Sequence, residues 1–127
     1  MVRAGETLVL IDDDESVRVA LRRLLRSKGL TVEAFATAEE FLHAAGRPAA
    51  CLILDVRLPG MSGPELLRRL VAEGRAVPVV FISAYADERL RQETLRAGAV
   101  ALLEKPFDER ALLDAVARAV GSRAAPL

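Results

Sequence analysis

Three aspartates, a serine and a lysine in this sequence have the types and the placement for phosphoryl chemistry. Asp55 follows Leu52-Ile53-Leu54 and precedes the turn-forming run Pro59-Gly60-Met61-Ser62-Gly63. It therefore sits at the lip of a buried strand, where a carboxylate is costly unless something pairs with it or uses it. Asp12 and Asp13 close the apolar run Thr7–Ile11, Ser83 closes Pro78–Ile82, and Lys105 follows Val100–Leu103. Three carboxylates within ~4–6 Å would raise one another's pKa unless a cation lies among them. A hard divalent cation with oxygen ligands, Mg²⁺ with Mn²⁺ as a substitute, suits such a set and engages phosphate. Lys105 adds a point charge and Ser83 a hydroxyl donor, both matched to phosphoryl oxygens. An aspartate can itself be the covalent acceptor. In a site of this kind, positioning and electrostatics carry the reaction.

Each residue also has a plainer reading. Asp12-Asp13-Asp14 could be a helix-capping run, where negative charge is favourable, and Asp14 is the member assigned to that task. Asp55 could be a turn residue, Ser83 a cap and Lys105 a surface lysine. The convergence of all of them on strand ends favours the chemical reading. His43, the single histidine, falls on a predicted helix away from these ends and reads as a solvated side chain. Cys51, the single cysteine, opens an apolar strand and reads as a small buried hydrophobe.

Whether these residues meet depends on the elements that carry them. The fully apolar run Thr7–Ile11 reads as a strand buried on both faces. A helix follows, with Val17, Ala20, Leu21, Leu24 and Leu25 on its buried side, Arg18, Arg22, Arg23 and Arg26 opposite, and Gly29 as its stop. That arginine face reads as solvated, with contact to a partner as the alternative. Thr31–Phe35 alternates, as suits a half-exposed edge strand. Thr37 and Glu40 have capping-box spacing and start a helix through roughly Ala45, which Gly46-Arg47-Pro48 ends.

Cys51–Leu54 is the third strand. Ser62 and Glu65 repeat the capping box, and Leu66, Leu67, Leu70 and Val71 form that helix's buried stripe. Pro78–Ile82 is the fourth strand. Asp87–Ala97 is a helix with a thin apolar face (Leu90, Thr94, Ala97), stopped by Gly98. Val100–Leu103 is the fifth strand, and a last helix begins with Asp108 as N-cap and Phe107 and Leu112 as a hydrophobic staple. Ala111, Leu112, Ala115, Val116, Ala119 and Val120 are its core face, and Gly121–Leu127 reads as a frayed tail or the start of a linker.

Five strands alternating with five helices imply right-handed crossovers and an α/β fold, a parallel sheet covered on both faces. Placing the alternating second strand at an edge gives the flavodoxin-like order 2-1-3-4-5. Ligands bind such sheets beyond the carboxyl ends of the strands where the order reverses, here between strands one and three. Asp12, Asp13, Asp55, Ser83 and Lys105 all face that crevice.

Composition narrows the field further. A chain of 127 residues with 52% hydrophobic and 28% charged residues fits one soluble domain with a real core. The formal net charge of zero supplies no global field toward nucleic acid or an anionic membrane. No run approaches the ~20 apolar residues of a membrane span, and no signal-peptide segment is apparent, so a cytoplasmic setting is expected.

LVLIDDD, LILDVRLPGMSG, VVFISA and LLEKPF resemble the receiver domain of two-component response regulators, a CheY-like domain. The resemblance runs from about Thr7 to Val120 and is closest in character to receivers of the FixJ/NarL kind. It implies a receiver over residues 1–121, with 122–127 as a tail or linker. It makes Asp55 the acceptor of a phosphoryl group from a sensor histidine kinase or phosphotransfer protein. Asp13 would ligate Mg²⁺ directly, Asp12 mainly through water, and the main-chain carbonyl of Arg57 would be a further ligand. Ser83 would turn its hydroxyl toward the phosphoryl group, Lys105 would pair with it, and the Lys105–Pro106 bond would be cis. Arg57 and Tyr85 would tune dephosphorylation.

One position departs from the pattern. Leu102 stands where the family usually has the Tyr or Phe that turns inward on activation, and Tyr85 is a candidate for part of that coupling. The domain would act as a signalling switch rather than an enzyme. A homodimer through the Asp87–Val120 face is a further expectation. So is a place as the receiver piece of a FixJ-like DNA-binding regulator, with no nucleic-acid contact by the domain itself. Two other readings compete: a haloacid-dehalogenase-type Mg²⁺ phosphatase with Asp12 as nucleophile and Asp14 as acid/base, and a degenerate receiver that only docks partners.

Overall fold

The structure, a computed structural model, describes residues 7–44 and 49–124, with side chains through Gly121. Five strands, β1 (Thr7–Ile11), β2 (Thr31–Phe35), β3 (Ala49–Asp55), β4 (Val79–Ser83) and β5 (Ala101–Glu104), form one parallel sheet in the order β2-β1-β3-β4-β5. Between and after them come α1 (Glu15–Ser27), α2 (Ala38–His43), α3 (Gly63–Ala72), α4 (Glu88–Arg96) and α5 (Glu109–Ala124). The order and the parallel pairing are those expected from the alternation of strand and helix.

The central strands divide their side chains between two cores, as period-2 alternation requires. Leu8, Leu10, Cys51, Ile53, Val80 and Ile82 pack with Leu21 and Leu25 of α1 and with Leu112, Ala115, Val116 and Ala119 of α5. Val9, Ile11, Leu52, Leu54, Val79 and Phe81 pack on the other side with Ala38 of α2, Leu66, Leu67 and Leu70 of α3, and the partly buried Leu90 of α4. Burial of both faces is why these strands read as unbroken apolar runs. β2, paired only to β1, keeps the half-exposed alternation of an edge.

Local chemistry sets the helix ends. Asp14 is the N-cap of α1, accepting from the amides of Ser16 and Val17. Ser62 and Glu65 form both halves of a capping box at α3, Thr37 caps α2 and Asp87 caps α4. Asp108 accepts from the Ala111 amide at 2.7 Å, and Phe107 and Leu112 join the same core, as the staple requires. Gly29 and Gly98 take φ of 82° and 106°, the left-handed conformation that closes a helix at low cost.

Several details differ from the sequence expectation. β3 begins at Ala49, two residues before Cys51, and β5 is shifted one residue on, ending at Glu104. α2 ends at His43 with Ala44 as C-cap; the Gly46-Arg47-Pro48 stop lies outside the described residues. Val71 is 53% exposed and Ala20 is exposed, so neither belongs to its helix's buried stripe. Each lies at the edge of the apolar arc, beyond the part that meets the sheet. α5 continues through Gly121 to Ala124, because Gly121 keeps a helical backbone instead of the positive φ of a cap.

Candidate functional site

β1 and β3 are neighbours in the sheet and end at the same level, with Ile11 opposite Leu54. Asp12, just past β1, and Asp55, the last residue of β3, are therefore held side by side. Asp12 is fully buried and Asp55 nearly so, and Asp13 stands exposed at the mouth. One carboxylate oxygen from each of the three lies within 4.8 Å of the others. The expected trio is thus brought together.

Lys105 spans the two buried members. Its ammonium donates to Asp12 Oδ2 at 2.8 Å and to Asp55 Oδ2 at 3.3 Å. β5 delivers it: Ser83 pairs with Glu104 across the sheet, and the Lys105 amide donates to the Ser83 carbonyl at 2.7 Å. The Lys105–Pro106 peptide is cis, as expected.

The remaining oxygens are used unevenly. Asp12 Oδ1 accepts from the Asp14 amide at 2.9 Å, and its backbone is tied by its own amide to the Phe35 carbonyl and by its carbonyl to Arg18 Nη1 at 2.8 Å. Asp55 Oδ1 accepts from the Arg57 amide at 3.1 Å, which holds the Arg57 peptide against the site. No hydrogen bond among the described residues engages the Asp13 carboxylate, leaving it the most available donor of the three.

One ammonium does not balance three carboxylates. Burial, reinforced by the neighbouring Asp12 charge, pushes Asp55 up to about 6 against the opposing pull of Lys105. Burial works against the Lys105 ammonium, but its hydrogen bond to Asp12 and the charges of Asp55 and Asp12 outweigh it and hold its pKa above the ordinary value. The pocket therefore carries excess negative charge lined by oxygen donors, and the residues present fit a hard divalent cation.

These features are those of a known family. Residues 8–117 match the response regulator receiver domain. The chain belongs to that family. Among curated proteins it is similar to the response regulator protein TodT of Pseudomonas putida, at 44% identity over 117 residues, covering 91% of this chain and 52% of the relative. It is also similar to the transcriptional regulatory protein FixJ of Azorhizobium caulinodans, at 43% identity, covering 91% and 55%. The chain thus spans about half the length of the curated relatives it matches. Among solved structures, the response regulator StyR matches with a TM-score of 0.86 and 46% identity, covering 95% of this chain and 62% of that one. FixJ-N matches with a TM-score of 0.85 and 35% identity, covering 98% and 100%.

The other residues expected from the resemblance make no hydrogen bond to the three carboxylates among the described residues. The buried Ser83 hydroxyl donates to the Tyr85 carbonyl at 2.7 Å and accepts from the Tyr85 amide at 3.2 Å, so it serves the β4–α4 turn. The Tyr85 side chain is 60% exposed. Leu102 is buried in the core beneath α4, and its carbonyl accepts from Arg91 Nη1 at 3.0 Å, pinning α4 to β5. His43 is exposed and its Nδ1 lies 2.9 Å from the Glu39 carbonyl, away from the crevice. Cys51 is a free, fully buried thiol, pushed up to about 12 by burial. Among the described residues, no helix is long and apolar enough to cross a membrane.

Two contributors were not singled out from the sequence. Arg18 leaves the arginine face to hold the Asp12 carbonyl, and Glu39 reaches from α2 to the amide of Met61 at 2.8 Å. Nothing in the local sequence separates Arg18 from Arg22, and the spacing to Thr37 marks Glu40 for a local capping role but says nothing of where Glu39 reaches.

Proposed function

We propose that this receiver takes a phosphoryl group on Asp55 from a phosphohistidine of a sensor kinase or phosphotransfer protein. The observation that carries the reading is the Lys105 ammonium bridging Asp12 and Asp55 within a cluster of three carboxylates. An Asp55 carboxylate oxygen attacks phosphorus as the donor's P–N bond breaks. The electron pair of that bond stays on the imidazole, which takes up a proton from solvent.

Asp13 would hold Mg²⁺ (or Mn²⁺) directly, with Asp55 and the Arg57 main-chain carbonyl beside it and Asp12 acting through water. The free carboxylate of Asp13 and the fully engaged oxygens of Asp12 support that division. Bound there, a divalent ion supplies charge neutralisation for the phosphoryl oxygens. Lys105 would then exchange its Asp55 contact for a phosphoryl oxygen while keeping Asp12. Ser83 would leave the Tyr85 carbonyl to donate to the same group, and Arg57 and Tyr85, at the mouth, would set hydrolytic lifetime. Leu102 leaves the hydroxyl shift without an aromatic follower, so the Arg91–Leu102 contact is the candidate link from the crevice to α4.

Residues 1–121 form the receiver unit in this reading. Its output is binding of a partner or a second copy through the Asp87–Val120 face, in a cytoplasmic regulator of the FixJ kind whose DNA contacts lie outside this chain. The phosphatase alternative is weaker, because the Asp14 carboxylate is spent on the Ser16 and Val17 amides and Asp12 is locked by Lys105 and Asp14.

Intact-mass spectrometry after incubation with acetyl phosphate and Mg²⁺ tests the reading. One phosphoryl adduct is expected, lost with EDTA and in Asp55→Asn. An adduct that survives Asp55→Asn but disappears in Asp12→Asn would favour the phosphatase, and no adduct from a small donor or a kinase would leave only a docking module.

A further inference from the structure

We propose that Glu39 is a positioning residue for metal binding, holding the loop between β3 and α3 from outside through the amide of Met61. The inference rests on the reading that the Arg57 carbonyl, in that loop, is a metal ligand.

The loop leaves Asp55 and enters α3 at Gly63. At its near end the Arg57 amide donates to Asp55 Oδ1 at 3.1 Å. At its far end the Gly63 amide donates to the Val56 carbonyl at 3.0 Å, and the Ser62–Glu65 capping box closes on itself. These ties are internal to β3, the loop and α3, and one backbone bond, from the Val56 amide to the Ile82 carbonyl at 3.0 Å, holds the start of the loop to β4. Among the described residues, Glu39 is the one side chain of another element that hydrogen-bonds the loop, across 22 positions of sequence at 2.8 Å.

Its reach is fixed at both ends. Glu39 lies in the first turn of α2, anchored by the Thr37 cap, which accepts from the Glu40 amide at 3.0 Å. Glu40 turns back to accept from the Ala36 amide at 3.0 Å, so adjacent glutamates divide the work of capping and tethering. On the loop side, Gly60 adopts φ +72°, and a Cβ there would come within 2.6 Å of Glu39 Oε2. The loop backbone is thus seated directly on the carboxylate. A tether at this distance acts on a metal site through the geometry of a backbone ligand, as outer-shell partners commonly do.

A pair of substitutions separates tether from charge. Glu39→Asp keeps the charge but shortens the reach by one methylene, whereas Glu39→Gln loses the charge but keeps an acceptor oxygen at full length. The assay is a Mg²⁺ titration of the full chain by NMR, following the Asp13 and Arg57 amides, together with the Mg²⁺ dependence of the adduct from acetyl phosphate. Glu39→Asp and Glu39→Ala should raise the half-saturating Mg²⁺ concentration about tenfold, with the rate at saturating Mg²⁺ within about twofold of wild type. Glu39→Gln should stay within about twofold in both, with the Met61 amide still protected from exchange.

The opposite order, with Glu39→Gln impaired and Glu39→Asp normal, would show a charge effect and overturn the proposal. A change in melting temperature with unaltered Mg²⁺ dependence would overturn it as well. Wild-type protein that binds Mg²⁺ at Arg57 without forming an adduct would refute the phosphoacceptor reading alone, and the titration would still decide the role of Glu39.

Discussion

Asp55→Asn should stabilise the metal-free protein at neutral pH, although it removes the residue on which the proposed chemistry depends. The Asp55 carboxyl is raised from 3.8 to about 6, first by burial and then by the Asp12 charge. That shift amounts to roughly 3 kcal/mol against the ionised form. Below pH 3.8 the group is protonated in both states and contributes nothing. Between about 4 and 6 the folded chain holds a proton that the unfolded chain has released, so stability falls as pH rises. Above about 6 the full penalty is present. Asparagine removes the charge but gives up the 3.3 Å contact with Lys105, and the open mouth beside Asp13 screens part of the field. The expected net gain is about 1–2 kcal/mol at pH 7 in EDTA, or roughly 3–8 °C in Tm.

Urea and thermal melts of wild type and Asp55→Asn at pH 7 and pH 4, with EDTA and with Mg²⁺, test this. The gap should shrink toward pH 4. Saturating Mg²⁺ should close or reverse it, because wild type gains about 2.7 kcal/mol at a hundredfold excess over Kd and the variant lacks a ligand. A variant no more stable than wild type at pH 7 in EDTA, or a gap unchanged at pH 4, would refute the electrostatic account.

Lys105→Met should leave two buried carboxylates without their cation, costing roughly 3–5 kcal/mol in urea melts with EDTA, with partial recovery on adding Mg²⁺. Gly63→Ala drives a Cβ into the Asp55 carbonyl oxygen and to 2.9 Å from Phe81 Cε1. The first turn of α3 must then back away, and a loss above about 2 kcal/mol is expected by the same melts. Cys51, with its thiol pushed up to about 12 by burial, should resist a disulfide reagent at pH 8 and react in step with global unfolding across a urea series.

The sheet order and most element boundaries were legible because they rest on short-range patterns: apolar strands, capping residues, glycines at helix ends. The meeting of Asp12, Asp55 and Lys105 was legible for the same reason, since parallel strands of known order bring their ends together. What periodicity does not encode is where an apolar arc stops meeting the sheet, which is why Val71 and Ala20 lie outside it. Gly121 has the composition of a stop but no positive φ. The roles of Arg18 and Glu39 depend on which member of a run of like residues reaches a particular backbone group, and only the packed structure decides that. The Ser83 hydroxyl, which the resemblance turns toward a phosphoryl group, here donates to the Tyr85 carbonyl of its own turn, a partner that the sequence pattern does not show.

The Lys105–Asp12 bond joins residues 93 positions apart, and its lysine comes from β5, the last strand in the chain and an edge of the sheet. A chain that has paired β1, β2 and β3 already holds its carboxylates side by side, with no cation of its own to offset them. Such a partly assembled chain carries the repulsion of the site without its counterweight. The site is therefore complete only when the sheet is formed out to β5, and competence to react would depend on the whole fold and not on any local part of it. Any ligand that needs both carboxylates and the lysine would then find them only on fully folded molecules.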